Sequence, residues 1–371
     1  MMHTLRLAYT IVMISGCFRP QSWTSLFKRT VYNIYRLYVI TLLYSFTILQ
    51  IMDIILFVDN INDFTENVNM SLTVLASCYK IFIMSINYEN IIVLINYLTE
   101  EPFKPLDSDE IKIQQQYDRM IRNNTLRYII LILTTSVFVV LSSVFTDFRY
   151  KRLKYREWIP YDYSSYMIFC ITYVQQLLSG GYGAIINVAI DSLMFGFLMH
   201  ICCQIEILEY RLKKVSSNEL TVGYCVRHHN RIFEYAQIVN IRFEKIVGFQ
   251  FMASTTVICC NLYQLSQSSL NVNSIGIFGF ICCMLAEIFI YCWFGQKIKS
   301  KSIQLTDSIF QIKWPMLSIS VKRNLLIIMQ RALVPIEFSV AHIINMNLDS
   351  FVALLKTSYS VYNLLIRVHD K

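Results

Sequence analysis

The stretch Tyr128–Phe145, YIILILTTSVFVVLSSVF, runs for 18 residues without a charged side chain. As a helix it reaches about 27 Å, close to the ~30 Å hydrocarbon thickness of a bilayer. A helix at the surface of a soluble domain keeps a polar face, and this one has none. Lipid is the solvent that tolerates such a segment. Six other segments read as spans on the same grounds: residues 37–58, 68–98, 166–199, 248–265, 275–294 and 348–368. The expected fold class is therefore an all-α membrane protein with seven transmembrane helices, in a single domain covering residues 1–371.

Composition agrees. Of 371 residues 55% are hydrophobic and 16% charged, with a mean hydropathy of +0.45, too apolar for an ordinary soluble domain. The formal charge of +8 comes from Lys and Arg spread over the loops, with no basic patch or helix, so a nucleic-acid partner is not expected. The eleven Cys fall in predicted helices, their cytosolic flanks or the N-terminal segment, so no extracellular disulfide is expected. Ala8–Ile14 superficially resembles a signal-peptide core, but no A-x-A-like site follows, and Arg19, Lys28, Arg29 and Arg36 precede the first full-length apolar run. Cleavage is not expected.

Basic residues are retained on the cytosolic side, and their distribution orients the chain. With the N-terminus in the cytosol, inward segments hold 24 of the 33 Lys and Arg and outward segments 7, with Lys80 and Lys356 inside helices. The C-terminus then emerges outside. One outward loop breaks the pattern, with Arg149, Lys151, Arg152, Lys154 and Arg156. It also carries Trp158, Pro160, Tyr161 and Tyr163, which suit either a lid at the headgroup level or a solvated loop.

Helical periodicity continues beyond the bilayer. Ile201, Ile205, Leu208, Leu212 and Val215 recur at steps of three and four, as do Ile232, Ala236, Val239, Phe243 and Ile246. Ile298, Ser302, Leu305, Ile309 and Ile312 repeat the rhythm up to Trp314-Pro315. Apolar stripes in water must be covered. Residues 200–247 and 296–345 are therefore expected to form cytosolic anchor helices, packed within one subunit and, as a further expectation, between subunits.

Enzyme signatures are thin. His228 and His229 have no partner at metal-ligand spacing and read as a solvated face, and the Cys pairs 202/203, 259/260 and 282/283 point to different helix faces. Gly180-Gly181-Tyr182-Gly183 follows no strand and reads as a flexible break or a close-packing point in the fourth span. No enzymatic activity, metal or cofactor is implied. Asp118-Arg119 lies in the first cytosolic loop, Asn-Pro-x-x-Tyr is missing, and the N-terminus is inside, all against a G-protein-coupled receptor. The sequence lacks the inverted repeats and paired broken helices of many transporters.

The C-terminal hundred residues carry a resemblance. Gln311-Ile312-Lys313-Trp314-Pro315, the run Ser320–Arg331 (SVKRNLLIIMQR) and the final Leu348–Leu365 (LDSFVALLKTSYSVYNLL) resemble the C-terminal signature of insect odorant receptors. Cys17-Phe18-Arg19-Pro20, Glu157-Trp158-Ile159-Pro160-Tyr161 and His200–Glu206 (HICCQIE) fit it too. Gustatory receptors share the architecture but usually end in a Thr-Tyr…Gln-Phe pattern, from which Ser358-Tyr359-Ser360 and Ile366-Arg367-Val368 depart. The resemblance implies an odorant-gated, non-selective cation channel in the plasma membrane, expected on sensory-neuron dendrites. In it this subunit tunes the choice of a small volatile ligand and joins a shared co-receptor in a hetero-tetramer. The last span would line the pore, and the odorant pocket would lie among spans two, three, four and six.

Placed on that plan, the pocket candidates are Leu75, Tyr79 and Phe82 on the second span and Phe138, Leu141 and Phe145 on the third. Tyr173 and Leu177 on the fourth and Phe278 and Ile281 on the sixth complete them. Each sits in or near an outward half at helical spacing, although such stripes also serve as ordinary packing. Gate candidates are Val361, Tyr362, Leu365 and Ile366, since an apolar ring gates by dewetting. Ser350, Thr357, Ser358, Ser360 and Asn363 give the last span polar groups that suit an aqueous path or interhelical hydrogen bonds. Lys356, in mid-helix, either snorkels toward the cytosol or faces that path. Asn69-Met70-Ser71 is a glycosylation sequon on the expected outer side.

Overall fold

A computed structural model describes residues 5–20, 23–58, 60–214, 219–267, 272–312, 314–340 and 344–369. Its helices in chain order are α1 (Arg6–Ile14), α2 (Leu26–Phe57), α3 (Ile61–Ile86), α4 (Tyr88–Tyr97) and α5 (Ser108–Thr146). They continue with α6 (Tyr166–Lys213), α7 (Glu219–Gln267), α8 (Val272–Phe310), α9 (Ile319–Ala332) and α10 (Leu348–His369). Short polar side chains set several starts by accepting the first free backbone N–H groups: Asn60 from Asp63 N (2.8 Å), Asp107 from Asp109 N and Glu110 N (3.0 and 2.9 Å), and Ser318 from Val321 N (3.3 Å).

Six helices, α2, α3, α5, α6, α7 and α8, are long and apolar enough to cross a membrane. They divide by what surrounds them. The most apolar window of α6 is 94% buried and that of α5 only 11%, so α6 is the central post while α5 turns Ile130, Leu133, Val137 and Val144 outward to where lipid would cover them. With 48 residues α6 extends ~72 Å, more than twice the hydrocarbon thickness. It touches α1, α2, α3, α5, α7 and α8 on the way.

The expected helical extensions are present as continuations of α6, α7 and α8 rather than separate helices. Their stripes close on one another: Ile201, Ile205, Leu208 and Leu212, Ile232, Val239 and Phe243, and Ile298, Leu305 and Ile309 are all buried. The apolar periodicity is thus covered within one chain; Val215 lies outside the described residues. α9 caps this bundle through Val321, Leu325 and Ile328.

Three expectations need correction. The second span does not run unbroken to Leu98: Asn87 interrupts it, with backbone angles outside the helical region, and its side-chain amide donates to Ile83 O (3.0 Å), dividing α3 from α4. The segment after α9 is not helical; Ser339–Val340 (β1) pairs antiparallel with Ile344–Asn345 (β2). Finally, His228 and His229 are buried rather than solvated. His228 sits between Gln204 Oε1 (2.9 Å) and Arg211 Nη1 (3.0 Å), because its face of α7 meets α6. Arg211 in turn makes a buried ion pair with Glu110 (2.7 Å) and donates to Pro102 O and Lys104 O, fastening the loop before α5.

Candidate functional site: a two-chambered cavity above a buried ion triad

Helices α3, α5, α6 and α8 leave an inner cavity of about 130 Å³ between them. Val74 of α3, Ile132 and Val139 of α5, Leu177 and Ala184 of α6, and Phe280 and Met284 of α8 give it apolar walls. Gly180 and Gly183 line it on α6. A β-carbon at Gly183 would stand at ordinary contact distance from Ser77 Oγ (3.4 Å), and one at Gly180 at 3.2 Å from Met70 Cε, while Gly181 faces open space. The glycine cluster lies in an unbroken helix, not at a flexible break.

A second chamber of about 420 Å³ adjoins the first and shares Met70, Val139, Tyr155 and Phe280 with it. Its wall is largely apolar but carries more polar groups than the inner one: Asn62, Glu66 and Asn69 on α3, Asn261 and Gln264 on α7, and Lys154 from the 151–165 loop. Asn69 and Asn261 exchange two amide hydrogen bonds of 2.8 Å, tying α3 to α7 and engaging the sequon side chain inside the protein. The loop with the basic cluster is packed down as a cover. Gln176 clamps Tyr155 through both backbone groups (3.0 and 2.8 Å), and Trp158 N donates to Leu49 O (3.1 Å). Arg156 pairs with Asp53 (2.9 Å) and Asp63, and Lys154 with Asp147 (3.4 Å), so acids neutralise part of the local excess of positive charge. Within this loop the Glu157 carboxyl accepts from Gln176 (2.8 Å) through one oxygen while the other is buried without a partner. Burial, the larger effect, raises its pKa to about 7.

At the floor of the inner chamber lies a cluster the sequence reading did not foresee. Lys80 Nζ, 1% exposed, donates to Asp191 Oδ1 (2.7 Å) and Glu287 Oε1 (2.9 Å). Tyr291 and Tyr128 hydroxyls donate to the two oxygens of Asp191 (2.6 and 3.1 Å). Charges at membrane depth are retained only when paired in this way. The available signal was one Lys and two acids, each alone in an otherwise apolar run of its own helix.

The sequence-derived pocket candidates scatter. Leu177 lines the inner chamber. Tyr173 is buried beside it in sequence but bonds Ser143 (2.7 Å) and packs on Phe148, while Tyr79 stacks on Phe249 of α7 at 4.7 Å. Leu75 is half-buried and Ile281 buried, neither on the cavity wall, and the Phe138 ring lies near Gly276 at the seam of α5 and α8. Phe82, Leu141, Phe145 and Phe278 are exposed on the outer surface, where lipid would meet them. One or two positions along an α-helix rotate a side chain by 100 or 200°, which places Val139 and Val140, not Leu141, on the wall.

The last helix packs on α7 and α8. Leu354 and Ser358 are buried against them, Ser358 donating to Thr255 O (3.4 Å), and Phe351 meets Phe289 edge-on at 5.5 Å. Lys356, Thr357, Tyr359 and Ser360 are exposed on the opposite face. The gate candidates Val361, Tyr362, Leu365 and Ile366 follow on the later turns, with Val361 exposed and the other three half-buried.

These features define a class: a multi-pass helical membrane protein with a ligand-sized cavity in its outer bundle and a helical base. Residues 60–359 match the family model described as 7tm Odorant receptor, and the chain belongs to that family. The seventh helix of that plan is α10, which joins the six more apolar ones. Among curated proteins it is similar to Odorant receptor Or2 of Anopheles gambiae, 27% identical over 39% of both chains. Odorant receptor 9a of Drosophila melanogaster is 25% identical over 69% of this chain and 68% of that one. The matched stretch therefore spans well under half of the first relative and about two thirds of the second. The fold matches the insect olfactory receptor OR5 from Machilis hrabei in complex with eugenol, with a TM-score of 0.88 at 18% identity over 98% of this chain and 97% of that one.

Proposed function

We propose that this protein is an odorant receptor acting as a subunit of a ligand-gated, non-selective cation channel in the plasma membrane. A small volatile ligand binds in the inner cavity, and α10 lines the ion path together with a co-receptor subunit. The observation that carries the reading is the apolar cavity closed by α3, α5, α6 and α8 in a chain of odorant receptor sequence. Its size and lining suit a small apolar molecule, and the larger adjoining chamber offers the way in. The charge distribution supports a cytosolic N-terminus and an outward C-terminus.

Binding opens a pore only if the ligand prefers the open arrangement, since equal affinity for two states shifts nothing. The cavity and α10 share α8 as a wall. Met284 and Glu287 face the ligand space, and within about three turns of helix beyond them Phe289 and Gly295 carry Phe351 and Met346. A small displacement of α8 therefore reaches α10 directly, and we assign the gate to its outward turns around Val361, Tyr362, Leu365 and Ile366.

Co-expression with the co-receptor and recording across an odorant panel tests this. The expected result is a cation current evoked by a subset of volatile compounds and missing when this subunit is left out. A panel response identical with and without this subunit would contradict the assignment.

A further inference from the structure

Taking the inner cavity as the ligand site, we propose that it selects small apolar molecules carrying a hydrogen-bond donor, of the phenol, alcohol or aromatic amine class. Asn187 Oδ1 would receive that donor.

Asn187 is 7% exposed and lines the cavity. Its Nδ2 donates to Ser77 Oγ (3.0 Å), and the Ser77 hydroxyl donates onward to Gly183 O (3.1 Å) or Thr73 O (3.2 Å). In this arrangement the single Ser77 proton goes to a backbone carbonyl, so Ser77 accepts from the Asn187 amide nitrogen and Oδ1 faces away. That Oδ1 is buried without a hydrogen-bond partner. Buried acceptors in lipid are ordinarily satisfied, and an unsatisfied one on a cavity wall is a place for a ligand's proton.

Glu287, also on the wall, lies against Asp191 and shares with it the one cation of Lys80, so its oxygens are engaged within the cluster. Donors near this floor are spent: Tyr128 gives its proton to Asp191, Thr135 to Leu131 O (3.0 Å) and Thr73 to Asn69 O (2.8 Å). The hydroxyl of Tyr155 lies beside Gly180, about 10 Å along α6 from Asn187, at the mouth. Ser136 lies about 12 Å along α5 from Tyr128. An ether, ester or ketone seated beside Asn187 would therefore meet its free oxygen and no free donor among the described residues. The volume of about 130 Å³ resembles the ~150 Å³ apolar cavity that takes up benzene, so single-ring probes are the right size.

Phenol and toluene nearly match in shape, and burial of apolar surface alone ranks toluene higher. Thermal unfolding of the purified full chain, followed against ligand concentration for phenol, aniline, toluene and anisole, reads the selection. We expect half-saturation by phenol and aniline at concentrations roughly ten- to a hundredfold below those for toluene and anisole. Asn187→Leu should bring the ratio to one or invert it. Toluene binding as tightly as phenol would overturn the donor proposal and leave the cavity as a ligand site. No saturable shift with any of the four would overturn both. A phenol preference unchanged in Asn187→Leu would remove Asn187 from the account. Should that variant fail to fold, the comparison of the four probes on the unaltered chain decides alone.

Discussion

At the scale of single residues, the triad of Lys80, Asp191 and Glu287 makes the sharpest demand. Removing one partner of a buried ion pair leaves an uncompensated charge, at a cost of roughly 3–5 kcal/mol, whereas replacing all partners by neutral groups of similar volume is far milder. Lys80→Met should therefore reduce folded yield and unfolding temperature severely, and the triple variant Lys80→Met, Asp191→Asn, Glu287→Gln should recover most of the loss. Equal damage in both would show that the charges are not the issue. Glu157 makes a second demand, in the covering loop. Its carboxyl titrates near 7 in the folded chain against 4.5 in the unfolded one, because burial disfavours the ionised form. The folded state then holds the proton more tightly, so this group's contribution is complete below pH 4.5 and is lost as pH rises through 7. Between pH 5 and 8 the unfolding temperature should fall, and Glu157→Gln should flatten that fall; an unchanged slope in the variant would clear Glu157 of the effect.

At the scale of elements, the packing of the chain before α10 turns on Gly295 in α8. A β-carbon there would strike the Met346 carbonyl, part of the backbone that leads into α10 and is held by Met346 N donating to Phe338 O (2.8 Å). Inside an unconstrained helix Gly→Ala stabilises by ~1 kcal/mol. Gly295→Ala should reverse that sign, lowering the unfolding temperature and weakening ligand-evoked current; stabilisation without loss of current would mean the contact does not matter. Elements were legible in the sequence where water enforced a pattern. The extensions of α7 and α8 carry apolar stripes because their other faces are less covered, and Val239 and Ile298 lie where the periodicity puts them, whereas α6 is enclosed on nearly every side there. In lipid that contrast vanishes. The span of α5 is apolar on every side, so nothing in it gives the phase that separates Val139 on the wall from Leu141 on the outside. His228 escaped for another reason: it depends on tertiary partners, Arg211 and Gln204, that spacing along one helix cannot reveal.

At the scale of the whole molecule, a cavity in the outer bundle, a shared helix and a partly polar last helix form one mechanical unit above a firmly packed base. The cavity walls on α8 lie within a few turns of the contacts that hold α10, and the exposed face of α10 with Lys356, Thr357 and Ser360 has no cover among the described residues. Other subunits around an aqueous path would supply that environment. On the proposed function, gating needs no cytosolic messenger. The most direct measurement is current from excised, inside-out patches containing this subunit and its co-receptor, bathed without nucleotide, while an activating odorant is applied from the outer side. The account predicts prompt cation current that persists in the absence of GTP and ATP. Current that disappears on excision and returns only when GTP is restored would contradict it.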